Sequence, residues 1–258
     1  MYHFFCILSI FMGKSIVIWQ NFCTFAPAMR NLPVVTKNLL LINLAVFVLD
    51  ALLKRYGIYL TGLLGLWYPA TMRFHFWQPL TYMFLHADFS HIFCNMFAVL
   101  MFAPALEQDW GSKRFAIYYF ICGLGAAAVQ LLVWHLFPSG SGAVTIGASG
   151  AVFGVLLAFG WLFPDVEMFL LFIPIPIRAR IFVILYAVVE LFLGFADLDN
   201  VAHFAHLGGM LFGALLILWW NKDKWFSGLN RFSGFRKRSG SDERKGRFKD
   251  YHYQEPIR

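Results

Sequence analysis

Ser149 stands in the run Gly147-Ala148-Ser149-Gly150, near the start of an apolar stretch that continues to Phe163 and is long enough for a membrane helix. A hydroxyl held among glycines in such a stretch needs a reason beyond solubility. The chemistry it suits is nucleophilic attack, given a base close enough to take its proton. Few other strongly polar side chains interrupt the apolar stretches: His91, Asn95, Glu190, His203 and His206. Groups of this kind cost roughly 2–3 kcal/mol to insert and face a cavity or a partner when retained, so each is a functional candidate.

His206 is followed by Gly209 and Gly213, which fall on the same helical stripe. Such a stripe admits another backbone closely, and Gly150 with Gly154 forms the small-residue pattern through which membrane helices touch. Packing through these glycines would bring Ser149 within hydrogen-bond reach of His206, as a nucleophile and its general base require. His203 competes for the role of base but lies further off the stripe, near the mouth, where it would contact water or the interface. His91 and Asn95 share one helix face. They read either as an interhelical hydrogen-bonding pair or as donors to a developing negative charge.

A serine activated by a histidine performs acyl transfer: the hydroxyl attacks a carbonyl, and the imidazole takes its proton and returns it to the leaving amine. The oxyanion formed on the way needs aimed donors, for which His91, Asn95 and the Ser149 backbone N–H are suitable. No acidic residue has an evident place as a third member orienting His206, so the inference is a Ser149–His206 dyad. Phe153, one turn below Ser149, either stacks on the imidazole and orients it or packs in the core or against lipid.

The elements that must position these residues are membrane helices. With 60% hydrophobic and 14% charged residues the chain is too apolar for an ordinary soluble domain, and its thirty Phe suit lipid-facing and interfacial positions. The expected fold is an all-α membrane protein, a bundle of six transmembrane helices with a long interfacial first loop. The spans fall at about 34–53, 89–106, 115–136, 146–163, 181–195 and 201–220, the first of them about the twenty residues a bilayer requires. Between the first two, residues 56–90 are rich in aromatics, with turn signals at Gly57, Gly62, Gly65, Pro69 and Pro79, as in a segment lying in the interface.

Three parts follow: a peripheral N-terminal segment (1–33), a six-helix core (34–220) and a basic, disordered cytoplasmic tail (221–258). The first 28 residues also admit a signal peptide ending at Ala26-Pro27-Ala28, though without a basic start, or a true beginning at Met29. The net charge of +7 belongs to the tail, whose eleven Lys and Arg against five Asp and Glu account for six of the seven positive charges. A basic segment beside a last membrane helix is explained by the positive-inside rule and by anionic lipid, so nucleic acid is not the expected partner. The basic turns at 107–114 and 164–180 lie on the same side as the tail, which puts both termini in the cytoplasm. The spans bearing His91, Asn95, Ser149 and His206 then enter from the outer face, with all four residues in the first two turns and at one depth.

Two rival classes fit these residues less well. Metal-dependent chemistry through His86, His91, His203 and His206 lacks HExxH and any cluster of intramembrane carboxylates or thiolates, so no metal or other cofactor is expected. A non-proteolytic binder or transporter would show internal repeats, and none is evident; Glu190 alone is a thin ion pathway and could instead pair with a polar neighbour. Cys6, Cys23, Cys94 and Cys122 lie in apolar surroundings without metal-type spacing and read as small buried hydrophobes.

At this point the residues resemble a known family. Gly147-Ala148-Ser149-Gly150 matches GxSG, Ala205-His206 with Gly209 and Gly213 matches AHxxGxxxG, and His91 to Asn95 matches HxxxN of the rhomboid intramembrane serine proteases. The resemblance covers roughly residues 34–220 and includes the turn with Glu107, Gly111 and Ser112. It implies cleavage of single-span or other transmembrane protein substrates near the outer face, by Ser149 with His206, with His91 and Asn95 in the oxyanion site and Gly147, Gly150, Phe153, Gly209 and Gly213 in support. Substrates of the family tend to carry small, helix-destabilising residues near the scissile bond, since a regular helix hides its carbonyls. The compact core resembles bacterial members and implies the inner membrane. One departure is Trp77-Gln78 where the family often has Trp-Arg. The oligomeric state is left open.

Overall fold

Glu107 explains how the first helix begins. Its carboxylate accepts from the Val35 and Thr36 N–H groups at 2.9 and 2.8 Å, from the Thr36 hydroxyl at 2.8 Å and from the Ser112 hydroxyl at 2.6 Å. The start of helix α1 (Val34–Lys54) has no side-chain cap of its own, so a negative group from the end of helix α2 (Phe89–Trp110) satisfies its orphan donors. The computed structural model in which this is seen describes residues 32–137, 143–169, 176–196 and 202–222.

Helix α2 starts at Asp88, whose carboxylate accepts from the His91 N–H at 2.9 Å, and stops at Gly111 in a left-handed conformation (φ 78°). Four helices follow: α3 (Ser112–Leu136), α4 (Ser149–Leu162), α5 (Ala179–Ala196) and α6 (His203–Trp220). A two-stranded antiparallel hairpin, β1 (Glu167–Phe169) and β2 (Pro176–Arg178), lies between α4 and α5. Helix α6 packs against both α3 and α4, α1 packs against α2, and α5 closes on α6 and α4.

Among the described residues, six helices are fourteen residues or longer. Four of them, α1, α2, α3 and α6, are long and apolar enough to cross a membrane. Helix α4 corrects the expected fourth span: it is fourteen residues, beginning at Ser149 rather than near Ile146. The cause is local. Thr145 exchanges two backbone hydrogen bonds with Leu66, the Gly147 N–H donates to the Tyr82 carbonyl at 2.9 Å, and Gly147 has φ +121°, so the residues up to Gly147 stay out of the helix.

Apolar side chains cover the outside as well as the core: Leu41, Leu44 and Leu52 on α1 and Ile184, Val188 and Phe192 on α5 are exposed. Surfaces of this kind are stable in lipid, and the chain is an integral, multi-pass membrane protein. The segment 56–90 is two-sided as expected, with Leu66, Tyr82, Met83 and Leu85 buried and Tyr56, Tyr59, Met72 and Phe76 exposed. Gln78 is wholly buried and ties this segment together. It accepts from the Trp67 N–H at 3.3 Å and donates to the carbonyls of Arg73 (2.8 Å) and Leu63 (3.3 Å). The expectations for residues 1–31, for the tail beyond Lys222, and for Cys6 and Cys23 lie outside the described residues.

Candidate active site

Close approach of α4 and α6 builds the site. A Cβ placed on Gly209 would fall on the Gly150 carbonyl, so these two backbones touch with no room for a side chain. The other supporting glycines divide their work differently from the expected α4–α6 stripe. A Cβ on Gly213 would strike the Tyr118 hydroxyl of α3, and one on Gly154 would strike Cys122, also of α3. The Tyr118 hydroxyl donates to the Gly154 carbonyl at 2.8 Å, which fixes α3 against α4 as well.

At the end of this contact where α4 and α6 begin, the Ser149 Oγ lies 2.8 Å from His206 Nε2. Ser149 is the first residue of α4 and His206 lies in the first turn of α6. The Phe153 ring lies parallel to the imidazole, 4.3 Å away and tilted by 5°, so of its two sequence readings the stacking one matches the geometry. Tyr186 of α5 continues the stack on the other face of Phe153 at 4.9 Å.

His91 closes the opposite side. Its Nδ1 accepts from the Ala87 N–H at 3.3 Å, which leaves the ring proton on Nε2. That edge faces Gly147, where an added Cβ would come within 2.6 Å of His91 Nε2. Glycine at 147 therefore has two causes, its positive φ and the ring against it. Asn95 is buried and donates one amide hydrogen to the His91 carbonyl at 2.9 Å, keeping a second for the cavity. Tyr82, His91, Asn95, Ser149, Phe153 and His206 all line one cavity of about 160 Å³. Half-buried Cys94 lines it too, whereas Cys122 is buried as expected.

Two expectations are corrected. An acidic residue does stand beside His206: Glu190 of α5 has its Oε2 2.8 Å from His206 Nδ1. The same oxygen is 2.8 Å from His203 Nδ1, and His203 is only 3% exposed, so it is buried and not a water-contacting group at the mouth. Sequence held a signal for this contact, since a carboxylate in an apolar stretch requires a donor and His203 and His206 lie on one face of the next helix. Glu190, His203 and His206 place three potential metal-ligating atoms within 4.8 Å of one another, a grouping other than the four histidines the sequence suggested. The 2.8 Å separations are hydrogen-bond lengths, and we read the three as a hydrogen-bonded group.

Just outside α2, His86 is buried with its ring 5.0 Å from that of His91. Burial, reinforced by His91, pushes its pKa down from 6.5 to about 3, so it is neutral. The arrangement around Ser149 gives a hydroxyl whose proton has an acceptor, and N–H donors across a cavity where a carbonyl could sit.

The Rhomboid domain family matches residues 73–221. Among curated proteins, the chain is 31% identical over 175 residues to Rhomboid-like protease 3 of Toxoplasma gondii, covering 64% of this chain and 61% of that one. It is 33% identical over 150 residues to RHOMBOID-like protein 5 of Arabidopsis thaliana (55% and 44% covered) and 30% identical over 190 residues to the chloroplastic Rhomboid-like protein 11 of the same plant (69% and 62%). The chain thus spans less than two thirds of the length of each of these relatives. Because the matched region runs from the loop before α2 to the end of α6, and so contains every residue around the cavity, the chain belongs to the rhomboid family.

Proposed function

We propose that this protein is an intramembrane serine endopeptidase that cleaves transmembrane protein substrates. The observation that carries this reading is the 2.8 Å approach of the Ser149 hydroxyl to His206 Nε2 at the edge of a cavity. His206 accepts the Ser149 proton as Oγ attacks the scissile carbonyl, and then protonates the leaving amine as the C–N bond breaks. Water repeats the sequence on the acyl-enzyme. The oxyanion is stabilised by His91 Nε2–H, by the free amide hydrogen of Asn95 and by the Ser149 N–H at the start of α4, where the helix dipole favours negative charge.

In this reading all six long helices lie across the bilayer, with both termini on the cytoplasmic side because the basic turns and tail lie there. Substrates are cleaved near the outer face, since His91, Asn95, Ser149 and His206 all fall in the first two turns of α2, α4 and α6. The bacterial inner membrane is suggested by the compact core alone; the relatives matched come from Toxoplasma gondii and Arabidopsis thaliana.

The test is incubation of the purified protein with a single-span reporter in proteoliposomes. Cleavage by the wild type is expected to vanish in Ser149→Ala and His206→Ala and to persist in EDTA. Equal cleavage by the alanine variants would end the serine-protease reading, and loss of wild-type cleavage in EDTA would revive the metal-dependent one.

A further inference from the structure

Resting on the protease reading, we infer that Glu190 is a positioning residue for His206, which makes the catalytic group a Ser149–His206–Glu190 relay whose carboxylate is itself held by His203. Oε2 of Glu190 lies 2.8 Å from the Nδ1 atoms of both histidines, and Glu190 is fully buried. An ionised carboxylate only accepts hydrogen bonds, so both Nδ1 atoms carry protons. With its proton on Nδ1, His206 presents the Nε2 lone pair to Ser149 Oγ, and this is the neutral tautomer that can take the hydroxyl proton.

The charge balance favours the same role. When the Ser149 proton moves to Nε2 as the Oγ–carbon bond forms, an imidazolium appears beside a carboxylate already in place. The proton passes on to the leaving amine nitrogen as the C–N bond breaks, and Glu190 stays ionised throughout. His203 supplies the carboxylate with a second donor, so Glu190 is fixed before any substrate arrives. The stack of Phe153 and Tyr186 sets the plane of the ring, and Glu190 sets its rotation and tautomer. The other titratable groups facing this cluster are Tyr186 on α5 and His91 and Cys94 on α2.

The experiment compares wild type, Glu190→Gln, Glu190→Asp, His203→Gln and Ser149→Ala as full-length protein in proteoliposomes. It reads kcat and KM on the reporter, the rate of Ser149 labelling by a fluorophosphonate, and the pH profile of kcat/KM. Glu190→Gln is expected to lower kcat and labelling about a hundredfold or more with little change in KM, because the amide neither holds the tautomer nor offsets the imidazolium. Its acid limb is expected to move, since the negative charge 2.8 Å from His206 Nδ1 is gone. Glu190→Asp, which keeps the charge, is expected to recover part of kcat and the wild-type acid limb. His203→Gln, which leaves the carboxylate in place, is expected to lose less than Glu190→Gln.

Wild-type kcat and an unmoved acid limb in Glu190→Gln would overturn the relay while leaving the dyad intact. So would a fall in activity that Glu190→Asp shares fully with no change in the limb, the sign of a merely structural role. Should Glu190→Gln not fold, Glu190→Asp decides: a lower kcat at wild-type KM with an unmoved acid limb is expected, and a KM raised in step with the loss of kcat overturns the proposal. Reporter cleavage that survives in Ser149→Ala marks instead the failure of the protease reading, and the relay falls with it.

Discussion

Phe153 and His206 are stacked almost face to face, 4.3 Å apart with 5° between their planes. Imidazole rotation about χ2 is broad and cheap, so a flat neighbour restricts it where a hydrogen bond alone leaves it free. Phe153→Leu keeps much of the volume but removes the plane. We expect kcat to fall about two- to tenfold, matching the roughly 0.5–1.5 kcal/mol that aromatic pairs contribute beyond burial. Reporter kinetics on Phe153→Leu check this, and an unchanged kcat would return Phe153 to plain core packing.

Gly209→Ala should be far more damaging than its size suggests. The added methyl would fall on the Gly150 carbonyl, so α4 and α6 must separate and Ser149 must leave His206. A displacement of about 1 Å can cost on the order of a hundredfold in rate. Gly62→Ala is the control, because nothing lies within 4 Å of the new methyl. Fluorophosphonate labelling and thermal melting of the two variants should diverge in both readouts, and parallel behaviour would remove the close contact as the cause.

Gln78→Ala is expected to lower stability before activity. It leaves the Trp67 N–H and the Arg73 carbonyl without their buried partner, at about 1–3 kcal/mol for each group left unsatisfied. The Leu63 carbonyl is spared, since the Trp77 indole N–H also donates to it at 3.0 Å. The expected result is a lower melting temperature with near-normal cleavage at low temperature. A melting temperature equal to wild type would mean that Gln78 bonds contribute nothing net.

His86 predicts a pH dependence of stability. Its folded pKa of about 3 lies below the ordinary 6.5, so between these values the unfolded chain binds a proton that the folded one refuses. Stability from this residue is therefore complete above about pH 6.5 and falls as the pH drops towards 3. Melting measured at pH 7 and pH 4.5 should show a smaller drop for His86→Phe than for wild type. An identical drop would mean that His86 gains its proton without opening the fold.

Much of this arrangement was legible in the sequence because membrane helices make polar residues conspicuous. Ser149, His206, His91 and Asn95 stood out by being polar in apolar stretches, and helical spacing placed them near common ends. Glu190 stands out equally, yet its contact with His206 is not legible. Its distance from His206 depends on how α5 folds back on α6, and no spacing within one helix encodes that. His203 was misplaced for the same reason: the glycine stripe describes its angle to α4, while its partner comes from α5. The start of α4 is hidden because Val144, Ile146 and Ala148 are as apolar as a helix would be, and what keeps the residues up to Gly147 out of it is the pairing of Thr145 with Leu66 and of Gly147 with Tyr82. Those two partners lie in the segment 56–90, far away in sequence.

That short helix has a consequence for the membrane itself. Fourteen residues rise about 21 Å, against a hydrocarbon layer of about 30 Å, so α4 is roughly 9 Å shorter than the layer. If its C-terminal end lies at one face of that layer, as in the proposed arrangement, its first turn begins inside the layer rather than at its edge. The N–H groups of that turn, left unpaired in any helix, then point into a medium of low dielectric with a cavity in front of them. A helix that fell short by accident would be penalised for those groups. A negative oxygen in the cavity would relieve that penalty, so on the proposed protease reading the shortfall in length becomes an affinity for the charge that acyl transfer creates.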